Sequence, residues 1–364
     1  MLSASKPRRG SRPRSRLKSE GEVILDTVDA AYDLTAPDRE WLLSLTKAIA
    51  PCFDRGLGCV SYFYDCSDPA DLRVSNIVGH GATDEALALV EPVVYGYDAE
   101  QVAKSFGGPM IVATTWEVFG FNPSKPGIVT PGSPALSQEL IDFGFPTSYS
   151  KNLPTLRAVS SLALRAHQPD GRGVFICSLL PSDGGTTPRF KTRWSRVSAH
   201  ISSAWRLRQR LAREASKRTA PEAILTPSGK LADAHFDPSR GQRDVLATAV
   251  RGRERARGPL RRGAPDDALS LWQGLVQGRW TLVDQVDRDG KRFVLARRNE
   301  AAAPPFAGLT LRERQIVALA LQGLANKLIA YTVGLSVSTV ATHLSNAARK
   351  LDRTLRQRLL RRGA

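Results

Sequence analysis

At 364 residues and 42% hydrophobic, the chain is too long for one ordinary domain and has enough apolar material for two or three packed cores. Its formal charge of +17 and pI near 10.2 point to a polyanionic partner, a sign that does not separate DNA from RNA or an anionic membrane. No run of about 18 apolar residues exists, and the charged N-terminus has no apolar stretch behind it. A transmembrane helix and a secretory signal are therefore excluded, and a soluble cytoplasmic protein is expected.

In chain order, residues 1–20 form a basic tail: Lys6, Arg8, Arg9, Arg12, Arg14, Arg16 and Lys18 stand among Pro, Ser and Gly, a composition that predicts disorder. Such an arm either adds phosphate contacts or only solubilises. From Pro37 the pattern turns globular. Asp38 is placed to cap a helix carrying Trp41, Leu42, Leu45, Ile49 and Phe53 on one face. Residues 59–64 are β-branched and aromatic, a buried strand, with 72–78 as its partner. Thr83 opens a helix through Leu87, Val90 and Val94, and residues 111–119 have the composition of another strand. Residues 156–164 and 174–180 pair about the turn Pro169-Asp170-Gly171. A long helix over 188–217 carries Phe190, Trp194, Val197, Ile201 and Trp205 on one side and Arg and Lys on the other.

This order of elements over residues 21–218 resembles a GAF-type sensory domain. The resemblance implies a concave sheet that holds a small ligand, and Tyr62, Tyr64, Trp116 and Phe119 are candidates to line its pocket. The alternatives are that these aromatics are plain core, or that the pocket is degenerate and serves dimerisation.

Residues 219–299 make a second unit. Strand, turn and strand run through Ala223-Ile224-Leu225-Thr226, Pro227-Ser228-Gly229-Lys230 and Leu231; 240–257 is a basic helix. Asp266 and Asp267 open a helix through Leu271, Trp272 and Val276, and a hairpin joins 280–286 to 292–297 about Asp287-Arg288-Asp289-Gly290. The unit resembles a small PAS-like module, which implies a relay or dimer contact. Residues 300–307, with Pro304 and Pro305, read as a linker.

Chemistry is sparse in these units. Cys52, Cys59 and Cys66 are seven residues apart and Cys177 stands alone; no two lie two to four apart as metal ligands do. Reduced, buried thiols are expected, with redox sensing the minor alternative. His80, His167, His200, His235 and His343 form no constellation, and no nucleophile elbow, phosphate loop or dinucleotide fingerprint is present. No enzyme activity, metal or cofactor is expected.

Residues 308–364 carry the sharpest signal. Thr310 and Glu313 form a capping box ahead of Ile316, Val317, Ala320 and Leu321, and Gly323 closes that helix. A second helix buries Ile329, Ala330 and Val333 and stops at Gly334. Ser336 caps a third, with Val340, Leu344, Ala347 and Leu351 inward and Ser338, Thr342, Ser345 and Arg349 outward. Two helices about a short Gly-containing turn make a helix-turn-helix. The run L-T-x-R-E, G-L-x-N-K-x-I-A, G-L-S-x-S-T-V-x-x-H and K-L resembles the LuxR-type DNA-binding domain of bacterial regulators, over roughly the last sixth of the chain.

A reading helix needs side chains that reach base edges and others that grip phosphate. Ser338, Thr342, Ser345, Asn346 and Arg349 are the candidates on it, and Lys327 stands at the start of the second helix, where free N–H groups attract phosphate. Lys350, Arg353 and Arg356 are candidate phosphate contacts. By resemblance, Thr339 and His343 hold the helix and backbone, the chain pairs as a homodimer through a fourth helix over 354–360, and half-sites lie about one helical turn apart. Three positions depart from the family pattern. Ala341 replaces a Lys, a groove contact worth about 1–3 kcal/mol; Leu328 replaces a Glu; and Ala325 replaces a Ser, with Asn326 expected to cap instead.

The expected whole is an α+β multidomain chain: a GAF/PAS-like α/β sensory region, then an all-α, four-helix LuxR-type helix-turn-helix domain. The expected function is transcription regulation on double-stranded DNA in the cytoplasm, associated with the nucleoid and not with a membrane. A small-molecule ligand in the N-terminal region and an RNA polymerase contact are candidate further partners. The alternatives are a protein-interaction regulator with a degenerate helix-turn-helix, or a redox or small-molecule sensor acting through a partner.

Overall fold

The computed structural model describes residues 18–108, 110–123, 129–168, 170–182, 184–214, 223–234, 240–258, 260–264, 267–268, 280–286, 291–298, 308–351 and 359. The first element is a helix that the sequence reading missed. Helix α1 (Glu20–Ala31) starts at a capping box, with Glu22 N donating to Ser19 Oγ at 3.3 Å and Ser19 N to Glu22 Oε2 at 2.8 Å. It buries Val23, Ile24, Leu25, Val28 and Ala31. Helix α2 (Asp38–Phe53) carries the expected stripe, but Asp38 does not cap it. The N-cap is Pro37, and the Asp38 carboxylate instead accepts from Arg208 at 2.8 Å. Arg208 also donates to the carbonyls of Asp33 and Ala36 and lies 4.9 Å over the Trp41 ring. A tight set of four contacts outcompetes a cap worth about 1 kcal/mol.

The sheet behind these helices is antiparallel and five-stranded, in the order β2-β1-β5-β4-β3. Its strands are β1 (Cys59–Asp65), β2 (Arg73–His80), β3 (Val112–Thr114), β4 (Ser160–His167) and β5 (Arg172–Leu180). Both faces are covered, so the central strands are buried along almost their whole length. Phe63, Leu162, Leu164, Ala166, Val174 and Ile176 face one core with Trp41, Phe53, Trp194 and Trp205. The alternate residues Val60, Tyr62, Tyr64, Phe175 and Cys177 face the other. The hairpin β4–β5 turns where expected, at Gly171, whose φ of +88° and close approach to the Ser67 backbone suit only glycine.

Small helices cover the second face: α3 (Asp84–Ala88), α4 (Val90–Tyr95), α5 (Ala99–Ser105), α6 (Thr115–Phe119), α7 (Pro134–Phe143) and α8 (Thr147–Asn152). The expected strand over 111–119 is only three residues long. Thr114 and Glu117 form a capping box that turns the chain into α6, so local hydrogen bonding overrides the aromatic composition of the run. The single helix expected from Thr83 is two, α3 and α4, meeting at Leu89.

The long helix α9 (Pro188–Glu214) closes the first face against α1 and β4. The second sheet, ordered β7-β6-β9-β8, holds β6 (Ala223–Leu225), β7 (Leu231–Ala234), β8 (Trp280–Val286) and β9 (Arg292–Arg298), beside helices α10 (Arg240–Arg257) and α11 (Leu260–Gly263). Both expected strand pairs are present. The expected helix from Asp266 to Val276 lies outside the described residues apart from Asp267 and Ala268, as do the linker and the tail up to residue 17. One apolar core runs from α1, α2 and α9 into this unit through Ala223, Leu225, Leu246, Val250 and Val294. Arg261 pins the two together, donating to Asp29 at 2.7 Å and to Asp26. Among the described residues no single helix is long and apolar enough to cross a membrane.

Candidate nucleic-acid interface

Three helices follow: α12 (Leu311–Leu321), α13 (Asn326–Val333) and α14 (Val337–Lys350). The Thr310–Glu313 capping box starts α12, with Glu313 N on Thr310 Oγ1 at 3.2 Å and Thr310 N on Glu313 Oε2 at 2.8 Å. Gly334, left-handed at φ 66°, ends α13, and Ser336 Oγ accepts from Thr339 N at 3.0 Å to start α14. The chain bends by 101° between α13 and α14, within the range of a helix-turn-helix. Ile316, Val317, Ile329, Val340, Ala347 and Leu359 share one small core.

The other side of α14 is open. Ser338, Ala341, Thr342, Ser345 and Arg349 are exposed, and His343 and Asn346 are half-buried. Thr342 Oγ1 donates back to the Ser338 carbonyl at 3.0 Å, and Arg349 donates to the Asn346 side chain. The Thr339 hydroxyl lies 2.7 Å from Ser336 Oγ at the helix start. Lys350 is used differently from the expectation. Its ammonium meets both Glu313 oxygens at 2.8 Å, tying the end of α14 to the start of α12. That hydrogen bond, with the Thr310 amide, pulls the enclosed Glu313 carboxyl below its ordinary range. Asn326 does not cap α13: the N-cap is Ala325, which has no side chain to offer, so the first turn stays open beside exposed Lys327. Arg353, Arg356 and the proposed pairing helix over 354–360 lie outside the described residues, except for buried Leu359.

A compact trihelical unit with a capped, outward-facing polar helix is a helix-turn-helix domain. Residues 307–362 match the family model described as bacterial regulatory proteins, luxR family, so this part of the chain is a LuxR-family domain of DNA-binding transcription regulators. No curated protein matches the chain.

The helix-turn-helix is docked. Tyr331, on α13, reaches α9: its hydroxyl lies 2.8 Å from His200 Nε2, and the rings meet edge to face at 6.0 Å. Tyr32 approaches His200 Nδ1 from the other side at 3.4 Å, and Arg196 lies 5.5 Å over the Tyr331 ring. Burial lowers the His200 pKa to about 3, so the imidazole is neutral, and burial likewise raises the Tyr331 phenol. Leu328, which stands where the family has Glu, packs against Ala199 and Tyr331 in this seam and against the main core. Gln322 adds a donor to the Gln168 carbonyl at 3.2 Å. His200 and Tyr331 are therefore paired across 131 residues, a relation that spacing could not show. The one legible hint was an apolar Leu328 on an otherwise polar surface position.

The second feature is a cavity of about 110 Å3 between the five-stranded sheet and α3–α5 and α8. Its walls are Val60, Tyr62, Phe106, Phe175, Val93 and their neighbours, with Ser105, Thr115, Ser161 and Arg165 among the polar members. Of the four candidate aromatics, Tyr62 lines it and the other three pack in or against the core, the alternative reading for them. Tyr64 sits beyond, its hydroxyl 2.7 Å from His167 Nδ1; Phe119 stacks on Phe145; Trp116 meets Phe121 edge to face. Trp116 and Phe119 miss the cavity because the chain is helical there, which breaks the period-two reading. The cysteines are unpaired, and burial raises their thiols to about 11 for Cys52 and Cys66 and about 12 for Cys59 and Cys177. Such thiols are held as unreactive SH groups.

Proposed function

We propose that the chain is a DNA-binding transcription regulator whose N-terminal region takes up a signal and controls the helix-turn-helix through the α9–α13 seam. The observation that carries the DNA-binding part is the face of α14: Ser338, Thr342, Ser345 and Arg349 stand exposed on a LuxR-family domain while its aliphatic residues are buried. Thr342, Ser345 and Asn346 would meet base edges, with Arg349 at the far end of the same face and Lys327 on phosphate beside the open first turn of α13. The GAF-like reading of residues 21–218 is supported by the sheet order and by a cavity on the face away from α9. The PAS-like reading of 219–299 rests on its four-stranded antiparallel sheet.

Control is argued from the seam. Docking leaves the reading face of α14 open, so the N-terminal region would set how two helix-turn-helix units are presented to adjacent half-sites rather than cover them. A gel-shift salt titration on the full-length chain tests the first claim. Affinity should fall linearly on a log–log plot, with a slope near −0.9 per phosphate neutralised. DNA binding that is absent, or indifferent to salt, refutes it and leaves the protein-interaction alternative.

A further inference from the structure

The cavity over the sheet is apolar on most sides, and the charged side chain in its wall is Arg165. The residue is 3% exposed. Its Nε donates to the Met110 carbonyl at 3.0 Å and its Nη2 to the Gly108 carbonyl at 2.7 Å, while Nη1 is buried with no hydrogen-bond partner. Among the described residues no carboxylate pairs with it. Backbone carbonyls steer the guanidinium but leave a full positive charge uncompensated in an apolar wall, a costly arrangement unless something else supplies the counter-charge. With Nε and Nη2 engaged, Nη1 is the donor left to meet a carboxylate oxygen in a charge-assisted hydrogen bond. The space offered is about 110 Å3, below the roughly 150 Å3 of an engineered apolar cavity that takes up benzene. It therefore suits a short aliphatic chain better than a ring.

We propose that this cavity binds a small hydrophobic carboxylic acid, its apolar body against Val60, Tyr62, Phe106 and Phe175 and its carboxylate on Arg165. The Thr115 and Ser161 hydroxyls, 2.5 Å apart, supply a neutral polar patch on the same wall. Binding itself does not depend on DNA; only its consequence rests on the regulator reading.

The test uses the full-length chain without DNA. Calorimetric titration and thermal shift are run with propanoate and butanoate against propanamide and butanamide at pH 7. Each acid should bind at least about tenfold more tightly than its amide. The preference should vanish in Arg165→Gln, and all binding should vanish in Ala163→Phe, which fills the cavity and keeps the arginine. Ala163→Phe guards against an Arg165 variant that does not fold. Equal binding of acid and amide, no binding of either acid, or acid binding that survives Ala163→Phe each overturns the proposal. The same preparations go into the gel shift. DNA binding without acid binding sinks this proposal alone, and acid binding without DNA binding sinks the regulator alone.

Discussion

Replacing Tyr331 by Phe removes one oxygen from the seam and leaves nearly everything else in place. The ring still meets Ala199, Leu328 and the Arg196 guanidinium, so no cavity opens. What is lost is the 2.8 Å bond to His200 Nε2, in a pair where His200 is 1% and Tyr331 7% exposed. The imidazole is neutral, so it has one donor and one acceptor nitrogen, and Tyr32 reaches only Nδ1, at 3.4 Å. Nε2 is left buried without a partner, which costs about 1–3 kcal/mol. That cost should fall on docking rather than on the helix-turn-helix core, because Tyr331 faces α9. Hydrogen exchange on the full-length protein reads it: the α13 amides should exchange about 5- to 150-fold faster, with β4 and β5 unchanged. Unaltered protection of α13 would refute the claim that α9 holds the domain.

The same histidine sets a pH dependence. Its folded pKa is lowered to about 3 from 6.5, so the unfolded chain binds the extra proton; stability is complete above pH 6.5 and falls as pH drops toward 3. His167 shifts in the same direction, and the unfolding free energy from urea titrations between pH 8 and 4.5 should fall with a slope of up to about 1.4 kcal/mol per pH unit for each histidine. Arg349→Ala should weaken DNA binding and flatten the salt slope by about 0.9 if the residue grips phosphate, whereas Lys350→Ala should lower stability by about 1 kcal/mol with a smaller effect on that slope. Iodoacetamide at pH 8 should leave the four thiols of the native protein largely unmodified and label them all in denaturant, as mass spectrometry would show.

The helix-turn-helix was legible nearly residue by residue because its signals are local. Caps, left-handed glycines and a 3.6-residue stripe each act within one turn, and Thr310, Glu313, Gly334 and Ser336 all do what their spacing implied. The same kind of signal at Ser19–Glu22 is masked by the charge of the preceding tail, which hides α1. Long-range choices were not legible. Asp38 had a helix to cap and Lys350 a phosphate to await, yet Arg208 and Glu313 claim them, and both partners are distant in sequence. The basic surplus is not all on the surface: Arg165 and Arg208 are buried, so part of the positive charge belongs to the interior.

Leu328 has a consequence for how the protein can be divided. A fragment cut at the family boundary would carry away Leu328 and Tyr331 without Ala199 and His200, turning an internal contact into an exposed sticky stripe beside Lys327. Such a fragment should self-associate, and its DNA affinity would report on that association as much as on α14. The family match begins at residue 307, but the side chains that shield its α13 face lie far upstream on α9.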